Sequence, residues 1–225
     1  MTIEQGGLLL VWGTLVGLDL VSMPQAMISR PLVAGALAGA MLGDLGTGLQ
    51  LGVIFELFQY DILPMGAVRY PEYGPATVAA VGAAHASAGA LGVALGVVVG
   101  LATGLLGGIS IHFMRRANAW AVRRHSDALE RGDVSVIVRL HVASMLRDAA
   151  RAALVTGAGL ALGAGVHALL VSGLAVRGAM VVAVAVTGAS IAAGTVGILR
   201  LIGRGPDLRW FAAGLLGGAA GVWLR

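Results

Sequence analysis

Residues 31–58 read PLVAGALAGAMLGDLGTGLQLGVIFELF, and this run decides the fold. It is 28 residues long and largely apolar. One helical crossing of a bilayer takes about 20 residues, and two take about 40 with a turn between them. The run is too long for one crossing and too short for two. Its middle, Gly43-Asp44-Leu45-Gly46-Thr47-Gly48, has the composition of a turn. These properties predict a re-entrant hairpin of two half-length helices. Irregular backbone at that depth persists only where protein covers it or where it lines a cavity.

The rest of the chain fits a membrane setting. Of 225 residues, 58% are hydrophobic and 12% are charged. A soluble domain carries about 25% charged residues. The mean hydropathy is +0.90. A chain with so little charge cannot cover a globular surface, which excludes a soluble enzyme, a nucleic-acid-binding domain and a disordered chain. The 36 glycines, together with many alanines, permit close helix approach inside lipid. No segments of alternating polarity mark a membrane β-barrel. With no cysteine, disulfides and thiolate metal sites are ruled out. The expectation is an all-α integral membrane protein: a multi-span helical bundle with at least one re-entrant hairpin, at about 31–58.

Charge orients the bundle. Residues 115–151 hold eight arginines against four acids, a surplus equal to the whole net charge of +4. Arginine excess beside membrane segments marks the cytoplasmic side. The stretch of about 111–151 is therefore expected to be a cytoplasmic helical connection, solvated and topogenic. From it, residues 152–174 make a span, Arg177 an external turn, and 178–199 a return. Arg200, Arg204 and Arg209 then lie inside again. The apolar run 210–224 is short for a span and has Trp210 and Trp223 at its ends. In the first half, 6–23 is a span interrupted by Asp19. Glu4 and the lack of a basic leader argue against a cleaved signal peptide. Residues 74–110 pose the same length problem as 31–58. Gly100-x-x-Thr103-Gly104-Leu105 faintly echoes Gly43-x-x-x-Thr47-Gly48-Leu49, a similarity that an Ala/Gly-rich chain also produces by chance.

Ionisable residues at membrane depth cost roughly 2.5–3.5 kcal/mol on insertion scales, and so draw a functional hypothesis. Glu56 lies in an apolar run with no base near it in sequence. Its carboxylate could accept hydrogen bonds from sugar hydroxyls, exchange a proton, or hold backbone groups of a broken helix. Asp44, at the hairpin tip, could cap the helix that follows, bind ligand at a half-helix end, or do both. Asp19 could serve in structural pairing or in function. Residues 59–75, QYDILPMGAVRYPEYGP, cannot form a lipid-facing helix. Gln59, Arg69, Glu72 and the tyrosines suit a sugar, which needs directed hydrogen bonds and an apolar ring face, and Arg69 could instead pair with Glu72. The five histidines show no metal-ligand spacing, and no nucleophile elbow, P-loop or dinucleotide fingerprint occurs. No metal or cofactor is expected.

The run Arg30-Pro31-Leu32-Val33-Ala34-Gly35, then Leu42-Gly43-Asp44-Leu45-x-Thr47-Gly48-Leu49-x-Leu51-Gly52-x-x-x-Glu56-Leu57, then Gly66 and Pro71, resembles the IIC subunit of mannose/fructose/sorbose-type sugar phosphotransferase (PTS) permeases. Ala128-x-x-x-Gly132-Asp133 followed by His141-x-x-Ser144 resembles that family's cytoplasmic segment. The resemblance implies one IIC-type domain over 1–225 in a bacterial inner membrane. It implies a IID membrane partner, assembly of the pairs into trimers, and soluble IIA and IIB subunits that phosphorylate the incoming hexose-type sugar. The membrane pair would bind sugar and move it by an elevator-like alternation, with no covalent catalysis by this chain. The carried-over substrate positions are Asp44, Glu56, Gly66, Pro71 and Glu72, with Gln59 and Arg69 as possible additions. Glu56→Gln is expected to abolish sugar binding and leave membrane insertion intact.

The chain departs from the family pattern in several places. Pro64 stands where relatives commonly have Asn, and Glu72 where they have Asp. Asp61 and Arg69 add charges at usually neutral positions. Against that pattern, the chain is expected to stop about one helix early and to carry no fused IIA or IIB domain. Two other readings follow from the same residues. One is a proton-coupled secondary transporter using Glu56, Asp44 or Asp19. The other is a transport-inactive regulatory or partner-binding homologue.

Overall fold

The computed structural model describes residues 1–60, 62, 70–87, 89–170, 176–202, 209–210, 212–214 and 216–217. Among the described residues of 1–202, eight helices follow in order: α1 (Ile3–Val21), α2 (Pro31–Met41), α3 (Leu45–Gln59), α4 (Tyr73–Ala84), α5 (Gly89–Arg123), α6 (Ser126–Glu130), α7 (Val134–Leu170) and α8 (Val176–Ile202). No strand occurs among the described residues. Helices α1, α5, α7 and α8 are long and apolar enough to cross a membrane. The protein is an all-helical, multi-span membrane protein.

The hairpin expected at 31–58 is α2 and α3. At 1.5 Å per residue they are about 16 and 22 Å long, each short of a ~30 Å hydrocarbon core. Pro31 starts α2 at its first position, where a missing N–H costs nothing. Gly43 makes the reversal at φ +76°, a left-handed conformation that glycine adopts without a Cβ clash. Asp44 then starts α3 by accepting the Thr47 amide at 3.0 Å. The two arms touch backbone to backbone along Gly35 and Gly39 on α2 and Gly48 and Gly52 on α3. A Cβ on Gly39 would lie 2.8 Å from the Gly48 Cα, and one on Gly52 would lie 3.0 Å from the Leu32 Cα.

Helix α4 is the centre of the molecule, and all 12 of its residues are buried. It packs on α1, α2, α3, α5 and α7. A length problem and an apparent repeat in the sequence resolve here. Residues 74–110 are not a second equal hairpin but a half-length helix, a turn at 85–87 and the start of a 35-residue helix. The apparent repeat at Gly100–Leu105 is continuous helix. Gly96 and Gly100 in α5 admit the side chains of Leu51 and Phe55 and the backbone or Cβ of Ala80. The glycines that mimic a turn motif are a packing face.

Two further expectations change. The last part of the basic stretch, from Val134, and the described part of the span expected at 152–174 form one helix, the 37-residue α7, and its residues Asp148 and Arg151 are buried, not solvated. Arg177 lies within α8 and not in a turn before it. The described residues of 209–217 are helical, while Trp223 and most of the remaining terminus fall outside the described residues.

Asp19 is a latch. It is buried near the end of α1 and accepts the amides of Ala26 at 2.6 Å and Ser29 at 2.9 Å. Between α1 and α2, Gln25 and Met27 adopt positive φ of 58° and 63°. Such conformations cost about 1–2 kcal/mol in non-glycine residues, so they need fixing from outside. Trp12 completes the join by donating its indole N–H to the Ala34 carbonyl at 3.0 Å.

Candidate substrate site

The expected site residues that fall among the described ones divide into three groups. Asp44 is exposed at the hairpin tip, far along α3 from Glu56, and its observed role is the N-cap. Asp44→Ala is expected to lower stability by about 1 kcal/mol, and Asp44→Asn to retain it, because Asn caps as well as Asp does. Thermal unfolding of the detergent-solubilised variants measures the difference.

Glu56 lies near the other end of α3, at the open end of the hairpin. It pairs with the Arg30 guanidinium and accepts the Leu32 amide at 3.2 Å. Arg30 also stands over the Tyr60 ring, 5.8 Å from its centroid. The absence of a base near Glu56 in sequence does not carry over to space. Its partner is 26 residues away, brought back by the hairpin. Both carboxylate oxygens are engaged in this conformation, and Glu56 clasps the first turn of α2 to the last turns of α3.

Next to that clasp, Gln59 and Ile62 meet Ser29, Tyr70, Pro71, Tyr73 and Leu20 around a narrow crevice of about 10 Å³. That is room for about one water molecule and not for a sugar ring. Phe55, Phe58 and Tyr73 stand together beneath it, with ring centroids 5.7–6.5 Å apart. Gln59, Ser29 and Tyr73 therefore converge where the hairpin meets the start of α4. Ser29 escaped the sequence reading because it lies before the hairpin and reaches the crevice only through the Asp19 latch.

Glu72 occupies a different setting. It is fully buried, and its two oxygens receive both terminal nitrogens of Arg151, at 2.6 and 2.9 Å. The Arg151 Nε donates to Asp148 at 2.8 Å, and the Ser22 hydroxyl donates to the other Asp148 oxygen at 2.5 Å. Arg151 also donates to Ser110 at 3.2 Å. Gly107 makes space for Glu72, since a Cβ there would lie 2.6 Å from its carboxylate. This network ties the start of α4 to α1, α5 and α7. The bidentate fork on Glu72 comes from Arg151, while Arg69, which could pair with Glu72 on the sequence reading, falls outside the described residues. Sequence reading missed Arg151 and Asp148 because both fall in the basic stretch assigned to solvent. Gly66 and Arg69, with Asp61 and Pro64, lie outside the described residues. Among the described residues, no cluster of three or more potential metal ligands occurs.

The helices and the site define a multi-span membrane protein built around a half-helix hairpin. A family model described as the PTS system sorbose-specific IIC component matches residues 3–214. The chain belongs to that family of sugar-transport subunits. A solved structure described as that of a membrane protein is similar to it with a TM-score of 0.78 and 18% identity, over 97% of this chain and 87% of the other. The mannose transporter ManYZ, solved by cryo-electron microscopy in complex with microcin E492, is similar with a TM-score of 0.56 and 21% identity, again over 97% and 87%. At these identities the two likenesses speak for the fold. No curated protein matches the chain.

Proposed function

We propose that this chain is the IIC membrane subunit of a bacterial sugar permease that works with a IID-type subunit and soluble IIA and IIB phosphocarriers. The family match supports the transport role, and the likeness to ManYZ supports a two-subunit membrane assembly. The whole chain acts as one IIC domain in the inner membrane, with the basic α5–α7 connection on the cytoplasmic side. The IIC–IID pairs assemble into trimers. The chain binds a hexose-type sugar and passes it across by alternating access, and phosphoryl transfer happens on the other subunits.

The observation that carries the sugar site is the convergence of Gln59, Ser29 and Tyr73 at the mouth of the hairpin. Gln59 supplies a donor and an acceptor for adjacent hydroxyls, and the aromatic faces suit the apolar side of a pyranose. The crevice is closed to a sugar in this conformation. Alternating access opens it by moving the hairpin away from α4. Glu56, about one helical turn before Gln59, and its partner Arg30 position the hairpin mouth, and Asp44 positions its tip.

Gln59→Ala is expected to weaken sugar binding by about tenfold, the loss of one to two hydrogen bonds, while the complex keeps its melting temperature. Equilibrium binding of radiolabelled hexoses to the purified complex measures it. Binding at wild-type affinity in the Gln59→Ala variant places the sugar elsewhere.

A further inference from the structure

A groove of about 330 Å³ runs along the outer face of α5, on the other side of the Tyr70–Pro71 segment from the proposed sugar crevice, which the same two residues also line. Leu105, Ile109 and Phe113 form its apolar floor and are 60, 57 and 63% exposed. Tyr70 and Pro71 form its other wall. That wall lies tight on the helix because Gly108 has no side chain, and a Cβ there would meet the Tyr70 carbonyl. It is also fixed from the side: Arg115 donates to the Tyr70 hydroxyl at 3.0 Å and stands 5.6 Å from the ring centroid. The groove ends at His112 and Arg116, where α5 passes from apolar to basic sequence. Arg116 is exposed, and none of the ion pairs among the described residues involves it.

An apolar trough that leads to a cation at the edge of a membrane helix has the polarity of a phospholipid turned inside out. The apolar stretch from Leu105 to Phe113, about 12 Å along the helix, suits part of an acyl chain, and the basic end suits a phosphate. Basic pockets beside membrane helices on the cytoplasmic side hold anionic headgroups, and each Lys or Arg near such a surface contributes about 1 kcal/mol. We infer that this groove binds one anionic phospholipid, with an acyl chain against Leu105, Ile109 and Phe113 and the phosphate at Arg116 and His112. The inference rests on the membrane placement of α5 and is independent of the sugar assignment.

The test uses the purified complex in nanodiscs of phosphatidylcholine with increasing phosphatidylglycerol. After gentle detergent release, native mass spectrometry counts the lipids that stay bound. The wild-type complex is expected to retain phosphatidylglycerol in preference to phosphatidylcholine. Arg116→Gln is expected to lower that retention about fivefold without changing the melting temperature in phosphatidylcholine. Equal retention of both lipids, or a preference unchanged in Arg116→Gln, overturns the proposal. A second measurement uses the lack of native cysteine. A single Ile109→Cys is expected to react with a lipid-soluble maleimide in membranes. With a thiol-reactive benzophenone attached to that cysteine, photo-cross-linking to a partner protein in place of lipid would show that protein covers the groove, which also overturns the proposal.

Discussion

Arg151→Ala is expected to abolish the folded protein in detergent. The guanidinium is the shared donor to Glu72 and Asp148, and all three side chains are buried. Removing it leaves two carboxylates facing each other without a cation. Truncating one partner of a buried pair costs about 3–5 kcal/mol, because the remaining charge is stranded. That is a large part of a typical stability of about 5–15 kcal/mol. Arg151→Lys is expected to rescue poorly, since an ammonium cannot make the two-pronged contact with Glu72. Neutralising the whole cluster, with Glu72→Gln, Asp148→Asn and Arg151→Met together, is expected to recover most of the loss. Size-exclusion profiles and melting temperatures of the solubilised variants measure this. Wild-type behaviour of Arg151→Ala would mean that the cluster does not hold the fold.

Gly48→Val is expected to have the next largest effect, by prising the hairpin open. A Cβ at Gly48 would lie 2.7 Å from the Gly39 Cα, a contact with backbone that cannot turn aside. Overpacking of this kind costs about 1–3 kcal/mol or more. The arms must separate or shift, which moves Glu56 off the α2 amide and Gln59 off the crevice. Both stability and sugar transport are expected to fall. Gly46→Ala is the matched control on the same helix. Its Cβ would meet only the Asp44 carboxylate, at 3.6 Å, so no loss is expected. If Gly48→Val and Gly46→Ala melt together, the arms are not in backbone contact.

The hairpin was legible because its length fits neither one span nor two, and because Gly43-Asp44 is a turn signal in any setting. The capping role of Asp44 was legible for the same local reason. What stayed hidden depends on distant pairing. Glu56 looked isolated because Arg30 reaches it only after the hairpin folds back. Arg151 looked solvated because a row of arginines hides the one that turns inward. Composition cannot separate Arg147, which bonds Asn118 on the neighbouring helix, from Arg151, which anchors Glu72. The glycines of α5 misled in another way. A tight turn and a close helix contact both call for glycine, and only the three-dimensional arrangement shows that Gly100 faces Phe55 within an unbroken helix.

The proposed subunit role is tested most directly by the energy source of transport. Vesicles containing the chain with its IID-type partner, supplied with the soluble phosphocarriers, are given labelled hexoses and phosphoenolpyruvate, with and without a protonophore. Uptake that needs phosphoenolpyruvate, delivers phosphorylated sugar and survives the protonophore is the predicted result. Uptake of unmodified sugar that collapses with the protonophore while phosphoenolpyruvate is still present would contradict it, and would identify a proton-coupled transporter.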